Sequence, residues 1–343
     1  DFSDSTNGAL LLEPQRTNSL LQSNQFNTTW ATSSGVTITS EQTISPQGIN
    51  NGWKFEKTAV SYKSIGQSYT SSNETTFSIF AKKGTLSVIT LFTNISGGTN
   101  LYQRFDLENG IVSSGAGMSS SNIKDYGNGW YRCSSTFTNA SVTSLDFFAE
   151  FSENNAGYIY MYGAQAELGS YATSYIPTSG SATTRLADVC NNSGSAQDFN
   201  SEEGVLYIEA KVKSDSNSSI NSIGISNGTD SNRLSIIMYG NSDLIRANMN
   251  VSSVSQFDFL QYGNNPEQYY KIAVSYKQND CKIFINGVKV GVDISATMPS
   301  LGTFDRLNLD IGNNLYDFYG KVKDIKLYNT ALTDEQLAAL TTI

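Results

Sequence analysis

The side chains able to carry out chemistry are few in kind. The 343 residues include no histidine. Neither a Ser-His-Asp nor a Cys-His nucleophile pair can therefore be assembled, and no His-ligated catalytic metal can be held. Cys133, Cys190 and Cys281 are odd in number, widely spaced and outside any C-x-x-C pair. They predict no disulfide framework and no structural zinc, and they read as small apolar fillers. No phosphate-cradling G-x-x-x-x-G-K-[ST] loop or dinucleotide fingerprint is present. Glycoside hydrolysis survives this filter because it needs only two carboxylates at a set separation. Glu209, however, is the lone acid of its strand-like segment, and Asp305, Asp310 and Asp317 have no suitably placed Glu. The expectation is a protein without catalysis.

Binding chemistry is better provided for. Sugars are held by aromatic rings against their C–H faces, with Asn, Asp, Gln and Arg on the hydroxyls. The chain carries 19 Tyr, 17 Phe and 3 Trp among abundant Ser, Thr, Asn and Gly. Trp30, Trp53, Tyr62 and Tyr126 are the candidates in the first half, and Tyr239 and Tyr262 in the second, where Tyr269 and Tyr316 also flank loops. Trp53 alternates with polar neighbours and Trp130 enters a strand after a tight turn, patterns more often of core residues than of binding platforms. Asp215-Ser216-Asn217, Asn227 with Asp230, and Asn313-Asn314 with Asp317 offer clustered oxygens. Asp215, Asn217 and Asp230 are the metal candidates, for a structural calcium if any cofactor is bound. Ordinary turns have the same composition.

The formal charge is −9, and no run of Lys or Arg exceeds two. A surface that tracks phosphates needs clustered positive charge, so neither nucleic acid nor an anionic membrane surface is an expected partner. No apolar run approaches the ~20 residues that span a bilayer. The chain opens with neither a signal peptide nor an initiator Met, and reads as processed or as a fragment.

The elements that must position these residues are strands. Val36–Thr39, Trp53–Lys57 and Phe77–Lys82 alternate at period two, and Leu86–Phe92 is almost continuously apolar. Turn signals recur about every 8 to 12 residues, as a sandwich or jelly roll requires. Tyr158-Ile159-Tyr160-Met161-Tyr162 reads as a buried strand, and the Ser/Thr-rich run with Pro177 and Gly180 reads as a linker. In the second half, Gly204–Lys213, Leu234–Tyr239 and Tyr269–Tyr276 are strands, and Asn286-Gly287 closes a hairpin after Cys281–Ile285. Thr333 with Gln336 forms a capping box that opens a short terminal helix. The sum is an all-β chain of two β-sandwiches, residues 1–186 and 187–343.

Several stretches resemble a pattern that recurs in structural and tail-fibre proteins of tailed bacteriophages. They are Leu10-Leu11-Leu12-Glu13-Pro14-Gln15-Arg16-Thr17-Asn18, Phe77-Ser78-Ile79-Phe80-Ala81-Lys82-Lys83-Gly84, Asp125-Tyr126-Gly127-Asn128-Gly129-Trp130-Tyr131-Arg132-Cys133, and the segment from Gly163 to Asp188. They stand in the expected order over residues 8–188. The resemblance implies a jelly roll like a carbohydrate-binding module, on a virion assembled in a reducing cytoplasm, and names no ligand. By the same resemblance a homo-oligomer, most often a trimer, is implied, although no coiled-coil heptads enforce one.

The hairpin at Asn286-Gly287, the strand Gly320–Tyr328 and the terminal helix resemble a laminin-G or concanavalin A-like lectin domain over residues 190–343. Hydrolases of that fold carry a Glu-x-Asp-x-x-Glu strand, and no such segment occurs here. The expectation is a fibre or adhesion protein at the virion surface that binds a host-surface polysaccharide alongside other virion proteins. The alternatives are a structural capsid-decoration or spacer protein, and an accessory module of a carbohydrate-active enzyme.

Overall fold

The computed structural model describes residues 1, 6–58, 62–71, 73–138, 141–150, 155–213 and 220–343. The chain forms two compact units, Gln15–Leu186 and Asp1–Pro14 with Ala187–Ile343. Sequence order places the first 14 residues with the N-terminal module, but they belong to the other unit. There strand β1 (Leu10–Leu12) pairs antiparallel with β25 (Gly320–Tyr328), and Glu13 and Asp188 exchange hydrogen bonds.

Unit Gln15–Leu186 is a sandwich of two six-stranded antiparallel sheets. One runs β10 (Ile111–Ala116), β9 (Leu101–Asp106), β8 (Val88–Ile95), β13 (Val142–Ala149), β6 (Ser64–Ser68) and β3 (Ala31–Thr32). The other runs β11 (Ser120–Asp125), β12 (Trp130–Phe137), β7 (Thr75–Lys83), β14 (Gly157–Leu168), β5 (Gly52–Lys57) and β4 (Val36–Thr43). A small ribbon pairs β2 (Arg16–Asn18) with β15 (Thr183–Arg185). Period-two alternation sends Trp53, Phe55, Phe77, Ile79, Ile159 and Met161 into a core shared with Ile89, Leu91, Leu145 and Phe147 of the facing sheet. Full burial of each large apolar side chain contributes about 1.5–3 kcal/mol.

The four sequence blocks named above converge on one buried polar brace in this unit. Gly163, at φ +59, and a register shift between Tyr162 and Gln165 bend β14. Beyond the bend, Gln165 Oε1 accepts the Ile176 amide at 2.7 Å, and Glu167 Oε1 accepts the Thr173 amide at 2.9 Å. The Thr173 hydroxyl donates to Glu167 Oε2 at 2.6 Å. Asn18 donates to the carbonyls of Ala164 and Ile176 and accepts from Ala166 and Leu20. Arg132 donates to the Thr173 carbonyl and to Ser78 Oγ. The 173–176 segment is thereby fastened to the sheet by hydrogen bonds from buried side chains. The brace accounts for much of the blocks' chemistry by architecture.

The second unit is also a two-sheet sandwich. One sheet runs β1, β25, β16 (Glu203–Val212), β21 (Tyr270–Lys277), β22 (Cys281–Ile285) and β23 (Val288–Asp293). The other has five strands, β20 (Val254–Gln261), β19 (Ile245–Val251), β18 (Arg233–Tyr239), β17 (Ile220–Ser226) and β24 (Arg306–Asn308). Leu206, Ile208, Ile272 and Val274 meet Ile223, Ile236, Ala247 and Met249 between them. Asn286 and Gly287 take φ 49 and 84, the positive-φ pair that the β22–β23 hairpin requires. Helix α1 (Asp334–Thr341) has the capping box at Thr333 and packs Leu337 against Val205, Tyr207, Ala273 and Phe284. All three cysteines are free, Cys133 and Cys281 buried and Cys190 half-buried. The regular structure is nearly all strand, with α1 the only helix among the described residues.

Candidate functional site

On the five-stranded sheet, Ile223, Ile236, Ala247 and Phe259 face the core, so the positions between them face outward. Gly224, Ser235, Asn248 and Asp258 are successive cross-strand partners on β17, β18, β19 and β20, and Asn308 of β24 extends the row past Gly224. The next row on the same face is Ser222, Ile237, Arg246 and Leu260. Polar side chains at Asn308, Ser235, Asn248 and Asp258 therefore line up in a band across the sheet, with Gly224 between the first two and Ser222 and Arg246 in the next row.

Ser222 and Ser235 are fully buried and Asn248 is 4% exposed. Ser222 Oγ, Ser235 Oγ and Asn248 Oδ1 nevertheless have no hydrogen-bond partner among the described residues. An orphaned buried acceptor or hydroxyl costs about 1–3 kcal/mol, and native structures keep few of them. Gly224 belongs to the same band. A Cβ there would stand 2.5 Å from the Leu234 carbonyl and 3.2 Å from Ser235 Oγ, so no side chain fits between them.

Beside the orphaned groups, Arg246 grips Asp258 with both arms of its guanidinium, Nε to Oδ1 at 2.7 Å and Nη2 to Oδ2 at 2.9 Å. Asp258, and then Tyr239 through its hydroxyl, raise the Arg246 pKa against the opposing pull of burial. This gives a fixed cationic fork with an aromatic ring next to it. Hydroxyls, an amide, a guanidinium–carboxylate pair and a tyrosine are the groups that read a polyhydroxylated ring.

Tyr239, a candidate from sequence, thus lies on this face. Tyr262 is 59% exposed and follows β20 at the end of the sheet where Tyr239 stands. Tyr62 and Tyr126 are exposed on the N-terminal unit, Tyr126 with its edge against Phe80, ring centroids 4.9 Å apart. Trp30 and Trp53 take the core positions that the same patterns allowed. Trp30 Nε1 donates to the Gln22 carbonyl at 2.8 Å and its ring packs on Phe26 and Phe147, while Trp53 meets Phe26 edge-on. Their rings are closed in by other aromatics and do not present a platform.

Of the metal candidates, Asp215 and Asn217 lie outside the described residues. Asp230 is joined to Arg233 through Oδ1 and accepts the Asn313 amide on Oδ2 at 2.9 Å. Two loops read separately in the sequence therefore meet, but through a guanidinium and an amide. Asp310, fully buried, accepts the Gly312 and Asn314 amides, and burial raises its pKa, as it does for Asp317. No group of three or more acids or cysteines stands close enough to hold a metal among the described residues.

The acid pair most worth weighing for catalysis is Glu209 and Asp324, opposite one another on β16 and β25. Glu209 is 3.4 Å from Lys323 and Asp324 is 2.5 Å from Lys326. Each carboxylate is taken up in an ion pair with a lysine, whereas glycoside hydrolysis needs one acid of the pair to donate a proton to the glycosidic oxygen.

Residues 191–338 match the family model described as the concanavalin A-like lectin/glucanases superfamily. This unit carries a concanavalin A-like domain. No curated protein sequence matches the chain. Among solved structures, a K499G mutant of the NanB sialidase from Streptococcus pneumoniae is similar at 17% identity and a TM-score of 0.36, over 42% of this chain and 24% of the sialidase. A leech intramolecular trans-sialidase complexed with 2,7-anhydro-Neu5Ac is similar at 19% identity and a TM-score of 0.37, over 46% of this chain and 27% of the enzyme. Chicken galectin 2 is similar at 16% identity and a TM-score of 0.28, over 39% of this chain and 95% of the galectin. The chain thus spans about a quarter of the length of the two sialidases.

The polar band of the concanavalin A-like domain was missed in sequence, though a signal for it existed. Leu234, Ile236 and Met238 set one phase of β18, and Ile245, Ala247 and Met249 set that of β19. Ser235, Arg246 and Asn248 occupy the opposite phase. In isolation each reads as an ordinary solvent-facing residue.

Proposed function

We propose that the chain is a non-catalytic glycan-binding protein, and that the outward face of the five-stranded sheet in its concanavalin A-like domain receives the sugar. The observation that carries this reading is the band Ser222, Ser235 and Asn248, buried side chains with unmet hydrogen-bonding capacity on a single face. Sugar hydroxyls are donors and acceptors at once and suit such groups. The Arg246–Asp258 pair and Tyr239 supply orientation and a ring.

The resemblance of residues 8–188 to tail-fibre modules supports placing this activity at a virion surface, as attachment to a host polysaccharide. Single sugar contacts are weak, so attachment of that kind rests on several copies acting together. A homo-oligomer, a trimer by the same resemblance, belongs to the proposal, and sedimentation equilibrium measures it.

The test is a glycan array probed with the whole chain and with Asn248→Leu. Binding to a defined set of glycans, lost in the variant at unchanged circular dichroism, is the expected result. A chain that binds nothing on the array is a spacer, and reducing-end release from a polysaccharide would restore the enzyme reading.

A further inference from the structure

The second surface of interest lies on the N-terminal unit. Tyr158, Tyr160 and Tyr162 of β14 alternate with the core residues Ile159 and Met161, so all three tyrosines share the outer face of their sheet. Trp130, Lys82, Tyr160 and Lys54 are successive cross-strand partners on β12, β7, β14 and β5. Tyr160 thus has a lysine on each neighbouring strand. Trp130 and Tyr162 are buried, whereas Tyr158, Tyr160, Lys54 and Lys82 are half-buried on the open part of the face. Tyr158 and Tyr160 pack edge to face at 5.4 Å. Lys54 Nζ lies 5.5 Å from the centre of the Tyr158 ring and also pairs with Glu56 at 2.8 Å. Among the described residues Lys82 makes no ion pair, and a Cβ at the neighbouring Gly129 would touch its stem, with Cε at 3.6 Å.

We propose that this tyrosine–lysine face binds a polysaccharide built of uronic acids. Neighbouring strands are about 4.8 Å apart, so the Tyr160 and Lys82 side chains leave the sheet from points roughly one sugar ring apart. A uronate carries its carboxylate on the same ring whose C–H face stacks on an aromatic. Stacking on Tyr160 therefore delivers the carboxylate to Lys82 in one rigid unit. Lys54, on the other side of the same tyrosine, meets the next acidic residue of the chain. Lys54 is balanced by Glu56, and Lys82 leaves one ammonium over on this face, which on a chain of net charge −9 favours an acidic partner at this position. The inference concerns a different unit from the proposed sugar-binding face and stands without it.

The experiment is affinity electrophoresis of the whole chain through gels containing polygalacturonate, with dextran, dextran sulfate and a short DNA duplex as comparison probes. Retardation by polygalacturonate is expected, weakening as salt is added. Lys82→Gln should bind about tenfold more weakly, the loss of one charge-assisted hydrogen bond. Tyr160→Phe keeps the ring and should bind as the parent does, while Tyr160→Ala should not be retarded. Asn248→Leu, which removes the other face, should leave polygalacturonate binding intact. The proposal is overturned by absence of retardation in the parent chain, or by equal retardation in dextran sulfate or DNA. It is also overturned by Lys82→Gln binding as tightly as the parent, a comparison that does not depend on the folding of Tyr160→Ala.

Discussion

Ser235 and Asn248 are directly paired across β18 and β19, almost wholly buried, and neither Ser235 Oγ nor Asn248 Oδ1 has a hydrogen-bond partner among the described residues. A structural role and a binding role make opposite predictions for such a pair. If the hydroxyl served the fold, its removal would cost stability; an orphaned hydroxyl already costs about 1–3 kcal/mol. Ser235→Ala is therefore expected to melt at the same temperature as the parent or slightly higher, while losing glycan binding. Calorimetry and the array, run on the same preparation, check both halves. A lower melting temperature with binding retained would assign Ser235 to the fold.

Asp146 on β13 sets a pH dependence in the N-terminal unit. Burial raises its pKa from 3.8 to about 6, the Ser144 hydroxyl at 3.1 Å opposing the shift. Gly66 stands opposite it on β6, where any Cβ would collide with the carboxylate. A raised pKa means that the folded state holds the proton more tightly than the unfolded one. The stabilisation is thus complete below about pH 4 and disappears as pH rises through about 6, on the order of 2–3 kcal/mol for this group. Asp146→Asn should abolish that part of the slope. The check is the difference between parent and variant in urea midpoints from pH 4 to 7, since Glu167, Asp310 and Asp317 also have raised values.

Glu167 offers a sharper test of the brace. It is fully buried, and burial raises its pKa against the hydrogen bonds from Thr173 and Gln165 and the charge of Arg132. Removing one member of a buried charged network leaves the others unsatisfied, at a cost of about 3–5 kcal/mol. Glu167→Ala should lose that much, whereas Glu167→Gln, whose carbonyl oxygen still accepts the Thr173 amide and whose NH2 can donate to the Thr173 hydroxyl, should lose much less. Equal losses would mean that the charge or the second acceptor oxygen of the carboxylate, both of which Gln lacks, carries the brace. Denaturant titration followed by tyrosine fluorescence is the measurement.

These cases show where sequence reading succeeded and where it stopped. Alternation and turn residues located the strands, the Asn286-Gly287 hairpin and the capped helix, because each is set by chemistry within a few residues. Contacts between residues 41 to 158 positions apart are not local. That Asn18, Ser78, Arg132 and Glu167 would meet in one brace had no short-range sign, and four ordered sequence blocks were its only trace. The run from Tyr158 to Tyr162 misled for a related reason. With β-branched and aromatic residues in both phases it read as buried throughout, whereas Ile159 and Met161 point inward and the tyrosines do not. Candidate rings were likewise sought beside turns. The glycan-reading groups we infer, Ser222, Ser235, Asn248 and Arg246, lie in mid-strand, and only cross-strand register brings them into a row.

The N-terminal strand supplies the last prediction. Leu12 is 5% exposed and packs in the core that holds Leu206, Ile272 and Phe318, far along the chain from its own neighbours. Leu20, only eight positions later, is fully buried in the core of the other unit. Truncating a buried leucine to alanine costs about 2–5 kcal/mol, and each substitution should weaken only the unit whose core it opens. Hydrogen exchange resolves them: Leu12→Ala should speed exchange in Glu203–Val212 and Gly320–Tyr328 and leave Thr75–Lys83 protected, and Leu20→Ala should do the reverse. If both variants raised exchange everywhere, the two units would unfold as one, and β1 would be a clasp for the whole chain instead of an edge strand of one sandwich.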